Sequence, residues 1–514
     1  MRYVLLFALL CPFKIQSQTS LNKIFNLPGM VTTAIFATLV DQDTIVTFGS
    51  VIDVPGHNGV HISKYDTLGN LLDFKTYFHP DSKPYVLGAP TGFIKTADGG
   101  YLGVGDVNLG DNVVVFKFSH SGDLEWLSDI AYGNLRVIYA IDPIECNGGY
   151  ILVGLLQYLD YDVNAFILKI DPVGNVLWRK DHGVPGLRDI AAFIQKRDEN
   201  SFFVSGAQNN GVGIGMPGGW IRNWVFEMDS TGTILSDWKS EIADNFGSCK
   251  AEISGDHELV LITSRLYYNH PYATKTELSA RKLDTDDWHT VWHTFQTAPT
   301  MSYLAGWYDL EQSPTDGSWD LVGTFHYEPD GAVLGGLNAH LNPDGERVWI
   351  RQDTAYLSPL LNANENYLVS MGHLSTGSII AGGYVLSTEG GDLHQEAWLL
   401  KISPDGCIEP GDCATVPANE PSTASGPSFL NWEVFPNPAT THTYLVSDKY
   451  MERKSVRVSI FDQHGGLVRE MDYAVQAEQL FRIELIGLPT GVYTYRVTTN
   501  DGELGAGKIM VMWR

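Results

Sequence analysis

One turn recurs along the first four hundred residues, and its spacing restricts the fold more than any other feature. Three copies are clear: Gly122 with Trp126, Gly174 with Trp178, and Gly345 with Trp349 each place a Trp four residues after a Gly. Weaker copies centre on Gly69, Gly232 and Gly406. These glycines are 53, 52, 58, 113 and 61 residues apart in chain order, counting 69, 122, 174, 232, 345 and 406. The 113-residue gap is twice a normal spacing. Its missing copy is the segment from Lys282 through Asp284 to Trp288, where the Gly is lost. A second landmark precedes each turn, a short apolar strand ending in Gly49, Gly105, Gly154, Gly206, Gly323 or Gly383. Each unit thus reads as an inner strand, a Gly-ended strand, a variable loop, a third strand, a tight turn and a fourth strand. Four short strands repeated seven times predict an all-β, seven-bladed β-propeller. In the turn, Asp three residues before Gly caps the backbone and Gly takes the left-handed position. The repeat Trp reads as packing between blades, with an indole N–H that needs one partner.

The ends of the array suggest how the ring closes. The seventh unit, from Val369 to Gly406, has no fourth strand of its own. Residues Leu21 to Gly29 resemble the fourth strand of unit three, Trp178 to Gly186, so the N-terminal strand is expected to complete the last blade and cover its edge. Cys407 and Cys413 flank a Pro-Gly turn. A local disulfide suits an oxidising compartment, with a zinc site as the alternative. Residues 414–430 are rich in Pro, Ser, Thr and Ala and read as a linker.

Before the first strand, Met1 and Arg2 lead into an apolar run from Tyr3 to Phe13, shorter than the ~20 residues of a membrane span. Residues 1–17 read as a secretory signal peptide, cut between Ser17 and Gln18, which leaves a mature chain without a transmembrane segment. The formal net charge of −26 argues against nucleic acid and against docking on anionic lipid.

Residues 431–514 carry a different pattern. Val456, Val458 and Ile460 alternate with polar residues, as do Tyr493, Tyr495 and Val497, and Gly465 and Gly466 mark a tight hairpin. This predicts a small Ig-like β-sandwich. Pro436, Asn437 and Pro438 open the segment, Gly491 and Tyr493 follow Leu488 and Pro489, and Lys508 begins the closing strand. In that order the motifs resemble the C-terminal sorting domain (type A-like) of type IX secretion cargo in Bacteroidota. The resemblance implies that the type IX machinery is a partner and that the chain passes through the periplasm to the surface or the medium. An ordinary Ig-like binding module is the rival reading. The repeats, for their part, resemble the Trp-containing propellers of bacterial quinoprotein dehydrogenases and outer-membrane assembly scaffolds. They depart in the Asp-to-Gly spacing and in lacking an adjacent cysteine pair, so the quinone activity does not carry over. Nor does that of sialidases, whose Asp-boxes are spaced differently.

Candidate chemistry is sparse. The loops between second and third strands hold aromatics suited to sugar or peptide: Tyr158, Trp220, Tyr267, Tyr268, Tyr272, His326 and Tyr327. Local packing of long loops is the rival. Asp160, Asp162 and Asn164 open like a calcium loop, but Ala165 stands at its glycine position and Asp171 at its closing glutamate. A solvated acidic loop is the other reading, and no further cofactor is expected. His289 and His293 could share a strand face without a third zinc ligand. No nucleophile elbow or paired-histidine zinc motif occurs. Two functions remain: a secreted or surface binding and adhesion protein for glycan, peptide or protein, or a polysaccharide hydrolase or lyase with its site in the propeller centre. The absence of a catalytic signature favours binding.

Overall fold

The computed structural model describes residues 21–87, 92–108, 110–131, 135–158, 162–209, 221–240, 250–255, 257–270, 273–297, 306–327, 333–355, 364–387, 394–408, 412–413, 432–435, 439, 441–447, 455–474, 480–499 and 504–512. Every regular element among them is a strand, so the protein is all-β. The signal-peptide reading and the Pro436, Asn437 and Pro438 motif lie outside the described residues.

After β1 (Asn22–Phe25), the strands follow the repeat. The first antiparallel meander is β2 (Met30–Asp41), β3 (Thr44–Asp53), β4 (Asn58–Tyr65) and β5 (Leu71–Phe78). In the next, β6 (Tyr85–Val86) and β7 (Phe93–Lys95) share one edge of β8 (Tyr101–Val107), followed by β9 (Asn112–Phe118) and β10 (Leu124–Ala131). Then come β11 (Leu135–Cys146), β12 (Gly149–Tyr158), β13 (Val163–Ile170) and β14 (Val176–His182), and β15 (Arg188–Lys196), β16 (Ser201–Asn209), β17 (Ile221–Asp229) and β18 (Ile234–Lys239). They continue as β19 (Lys250–Ile253), β20 (Glu258–His270), β21 (Ala273–Asp284) and β22 (Thr290–Thr297), then β23 (Gly306–Gln312), β24 (Trp319–Tyr327), β25 (Val333–Leu341) and β26 (Arg347–Asp353). The final run is β27 (Asn364–His373), β28 (Ile379–Ser387) and β29 (His394–Ile402), and its fourth strand is β1, paired antiparallel to β29 from Asn22↔Leu400 to Phe25↔Ala397.

The Gly-ended strands have a steric cause. Each of five innermost strands carries a β-bulge: between Ile35 and Ala37, Ala140 and Asp142, Ala191 and Phe193, Trp307 and Asp309, and Leu368 and Ser370. The residue paired beside each bulge is Gly49, Gly154, Gly206, Gly323 or Gly383. A Cβ on Gly49 would lie 1.8 Å from the Ala34 carbonyl oxygen, and one on Gly383 1.8 Å from that of Tyr367. Only glycine lets the bulged backbone come so close.

The tight turns follow their predicted chemistry. Asp171 Oδ1 accepts from the Val173 and Asn175 amides at 3.0 and 2.8 Å, and Gly174 has φ 89°. Asp66 and Asp229 cap their turns alike. The fifth turn is one residue longer, closing from the Asp284 amide to the His289 carbonyl. Trp288 stands in the left-handed position with φ 61°, and the repeat Trp of this unit is Trp292, four residues on. The Gly is thus replaced by Trp288, whose ring packs edge-on against Phe203 at 6.1 Å.

Those turns dock onto the preceding meander. Trp126 lies against Gly174, Trp178 against Gly232 and Trp292 against Gly345. Trp349, 1 % exposed, donates its indole N–H to the Pro404 carbonyl at 2.9 Å. Polar side chains repeat the contact. The Tyr77 hydroxyl reaches the Gly122 carbonyl at 2.8 Å, Ser128 that of Gly174 at 2.7 Å, and Lys23 on β1 that of Gly69 at 3.2 Å. Last and first meanders also meet at their inner strands, where Ser370 Oγ donates to Thr38 Oγ1 at 2.9 Å. The array therefore closes on itself as a propeller does.

Cys407 and Cys413 are joined by a disulfide, and Cys146 is a buried thiol.

In the C-terminal part, β30 (Trp432–Phe435), β31 (His442–Ser447) and β34 (Leu480–Glu484) make one sheet. The other holds β32 (Ser455–Phe461), β33 (Leu467–Ala474), β35 (Gly491–Thr499) and β36 (Leu504–Val511). Val456, Val458, Ile460, Tyr493, Tyr495 and Val497 all face the shared core, as their alternation predicts. Tyr493 donates its hydroxyl to the Pro489 carbonyl at 2.7 Å, while Lys508 is exposed and pairs with Thr494. Of the two hairpin glycines only Gly465 is left-handed, with φ 80°. Gly466 is not, because Asp462 makes the same capped turn seen in the propeller, accepting from the His464 and Gly466 amides at 2.8 Å each.

Candidate functional site in the propeller centre

A cavity of about 320 Å³ lies where the innermost strands converge. Thr38 of β2, Phe93 of β7, Asp142 of β11, Gln195 of β15, Glu252 of β19, Glu311 of β23 and Met371 of β27 all line it. The residues beyond the bulges, in the half of each strand that leads into the hairpin with the second strand, supply this lining. The cavity therefore belongs to the end of the channel that carries the tight turns.

On β11 and β23 the residue that follows the bulge is an aspartate. The extra residue turns the next side chain toward the neighbouring meander. Asp142 Oδ2 accepts from the Ile194 amide at 3.0 Å, and Asp309 Oδ2 from the Met371 amide at 2.8 Å. Asp309 is also ion-paired with Lys250, and both are buried. Burial works against the Lys250 charge, but Asp309, Glu252 and Glu311 outweigh it and hold the ammonium above its ordinary pKa. Glu252 is half-buried, and Gln195 Nε2 donates to its Oε2 at 3.1 Å. Burial pushes this carboxyl up to about 7; Glu311, Asp309 and Asp142 add to the push and Lys250 opposes it.

A second chain of contacts fixes Glu311. His373 Nδ1 donates to its Oε2 at 3.1 Å, and His373 Nε2 to Asp320 Oδ2 at 2.8 Å. Asp320 Oδ1 in turn accepts from His340 Nδ1 at 2.7 Å, and His340 stacks on Trp349 at 5.5 Å. Burial opposes the His373 charge, but Asp320 and Glu311 raise its pKa to about 10. Against its own burial, Asp320 is held below the ordinary carboxylate value by the two imidazoles.

The pH dependence follows in sign. His373 has a raised pKa, so its stabilisation is complete below its ordinary value near 6.5 and is lost as pH rises through about 10. Glu252 acts in the same direction, losing its contribution as pH rises from 4.5 through about 7. Urea unfolding at pH 5, 7 and 10 should show falling stability, and His373→Gln should flatten the fall between pH 7 and 10.

The residues singled out in the sequence lie elsewhere. Trp220, Tyr272 and Asp160 are outside the described residues. Tyr267 and Tyr268 lie on β20, paired with Lys275 and Thr274, and His326 and Tyr327 on β24, paired with Leu334 and Val333; these are extended hairpin ends rather than loops. Tyr158 is half-buried against the core, and its hydroxyl donates to Asp181 Oδ2 at 3.0 Å. The Asp162 carbonyl accepts from the Tyr158 amide at 2.9 Å, and Asn164 is already on β13, with a buried Oδ1 that finds no partner. The described ones among these positions sit at the opposite end of the meanders from the cavity. A different group of metal-ligand type, Asp284, Asp287 and His289, clusters within 4.8 Å on the fifth turn, where Asp287 and His289 are exposed. His289 Nδ1 meets Asp287 Oδ1 at 2.6 Å, whereas His293 meets Arg281 at 3.1 Å.

No curated protein matches the sequence. Among solved structures, the chain is similar to the polysaccharide lyase Uly1 at 10 % identity and TM-score 0.43, covering 75 % of this chain and 99 % of that one. It is similar to a puromycin-hydrolyzing peptidase of Mycobacterium tuberculosis at 11 % and 0.41, covering 84 % and 61 %. A third is an alpha-L-arabinanase of Penicillium chrysogenum complexed with arabinobiose, at 9 % and 0.35, covering 75 % and 98 %. Among the described residues no helix is long and apolar enough to cross a membrane. Residues 433–512 match the secretion system C-terminal sorting domain, and the protein is accordingly exported by type IX secretion to the cell surface or the extracellular space.

Proposed function

We propose that this is an exported glycan-binding protein of a Bacteroidota cell, built as a seven-bladed ring over residues 18–413 and closed by its N-terminal strand. A signal peptide (1–17) starts export, a linker (414–430) follows the ring, and residues 431–514 engage the type IX machinery. The cavity carries this reading: Gln195, Glu252 and Glu311 converge there from separate strands, beside apolar walls from Phe93 and Ile144. Sugars need this mixture of hydrogen-bonding groups and apolar surface in a largely preformed pocket. A rim site at Trp220, Tyr267, Tyr268, Tyr272, His326 and Tyr327 is the rival for glycan, peptide or protein.

The test is an array of glycans and peptides probed with the mature full-length chain, with and without calcium. Gln195→Trp, which fills the cavity, should abolish the glycan signal and leave the fold intact. Peptide hits with no glycan hit would refute the reading.

A further inference from the structure

Resting on that glycan reading, we infer that Glu252 and Glu311 are the acid and the base of a glycoside hydrolase acting on neutral glycans. They stand on β19 and β23, the inner strands of adjacent meanders, and both line the cavity while half-buried. Two carboxyl groups facing one sugar, in different protonation states, are the minimum equipment for glycoside cleavage.

The surroundings separate the two roles. Glu252 receives one amide hydrogen bond, from Gln195 to Oε2, and Oε1 is left to carry a proton. Lys250, which works against this raised carboxyl, is already ion-paired with Asp309. Burial that keeps Glu252 protonated up to about 7 supplies a general acid at neutral pH. Burial raises the Glu311 carboxyl too, and Asp309 adds to that, but unlike Glu252 it faces a cation directly: the His373 imidazolium, itself anchored by Asp320 and His340, opposes the rise and orients Glu311 as the group that takes a proton. His373 is thus a positioning residue.

The step balances without a redox partner. Glu252 gives its proton to the glycosidic oxygen as the anomeric C–O bond breaks. Water adds to the anomeric carbon and passes a proton to Glu311. One water is consumed, an alcohol and a hemiacetal leave, and solvent returns the proton from Glu311 to Glu252.

Charge selects the substrate. Asp142, Glu252, Asp309 and Glu311 line the cavity, with Lys250 as the only cation among the described lining residues. Uronates and sulfated sugars are repelled. Elimination by a lyase needs a uronate whose carboxylate is neutralised, and Lys250 is committed to Asp309. Neutral hexose or pentose chains fit both limits.

The experiment measures new reducing ends released by the mature full-length protein from xylan, arabinan, mannan and mixed-linkage glucan, with polygalacturonate and alginate as anionic probes. Release is expected from a neutral glycan and not from the uronans. Glu252→Gln should lower the rate by ~10²-fold or more while the folded protein still binds the glycan measurably, as loss of a general acid does. The basic limb of the wild-type rate profile should lie near pH 7, and His373→Gln should shift its acidic limb. Binding without any new reducing ends overturns the hydrolase and leaves the glycan-binding reading standing. Neither binding nor release overturns both. Release undiminished in Glu252→Gln, or unsaturated uronide products, also overturns the assignment.

Discussion

Removing residues 19–29 should destabilise the whole ring by on the order of 5 kcal/mol. The lost strand buries Leu21 and Leu27, at 0 % and 2 % exposure. Full burial of each side chain contributes roughly 2–3 kcal/mol. Its loss also uncaps Trp398, whose indole N–H donates to Asn22 Oδ1 at 2.8 Å, and strips the Lys401 amide of the Leu21 carbonyl at 2.8 Å. The effect is not confined to the last meander, because β1 also carries Lys23 to the first turn. β29 then becomes a bare edge, which invites pairing with another chain. Thermal unfolding of truncated and intact proteins measures this directly. Equal melting temperatures would show that β1 is an ornament on a ring closed by other means.

Lys250→Met is expected to cost about 3–5 kcal/mol, the usual result of leaving one buried charge without its partner. Asp309 is 2 % exposed, and its remaining contacts are the amides of Leu310 and Met371 at 2.9 and 2.8 Å. Two amides do not replace an ammonium. Adding Asp309→Asn should restore much of the loss, since its amide oxygen still accepts from Met371 while the charge is gone. Urea denaturation of the single and double variants checks this. A double variant no more stable than Lys250→Met would mean that Lys250 acts through its packing and not through its charge.

The ring was legible because its signals are local and repeated. Asp171 with Gly174 forms one turn, and six turns place an Asp, Asn or Ser cap three residues before a Gly. The Gly-ended strands were visible as punctuation, but not their reason, which needs the bulge on the partner strand. The fifth unit is harder to place from sequence because its turn is one residue longer, and spacing from a Gly cannot be counted once the Gly is gone. Trp292 stands four residues beyond the left-handed position, as Trp178 stands beyond Gly174. The cavity was far less legible. Lys250 with Glu252 and Asp309 with Glu311 each place two charged residues at i and i+2, on one face of a strand. That pattern is common among sixty acidic residues. Only ring closure brings β11, β15, β19, β23 and β27 to one axis, and closure joins residues hundreds of positions apart. The described candidate aromatics, Tyr158, Tyr267, Tyr268 and Tyr327, stand at the other end of the meanders, and sequence alone does not show which end faces a site.

The most direct test of a central site is isothermal titration of a neutral oligosaccharide, cut from the best-bound glycan, into three proteins: wild type, Gln195→Trp and Tyr268→Ala. A site in the cavity predicts at least tenfold weaker binding for Gln195→Trp and wild-type affinity for Tyr268→Ala, with all three melting alike. Wild-type affinity for Gln195→Trp together with lost binding for Tyr268→Ala would contradict it and move the site to the rim.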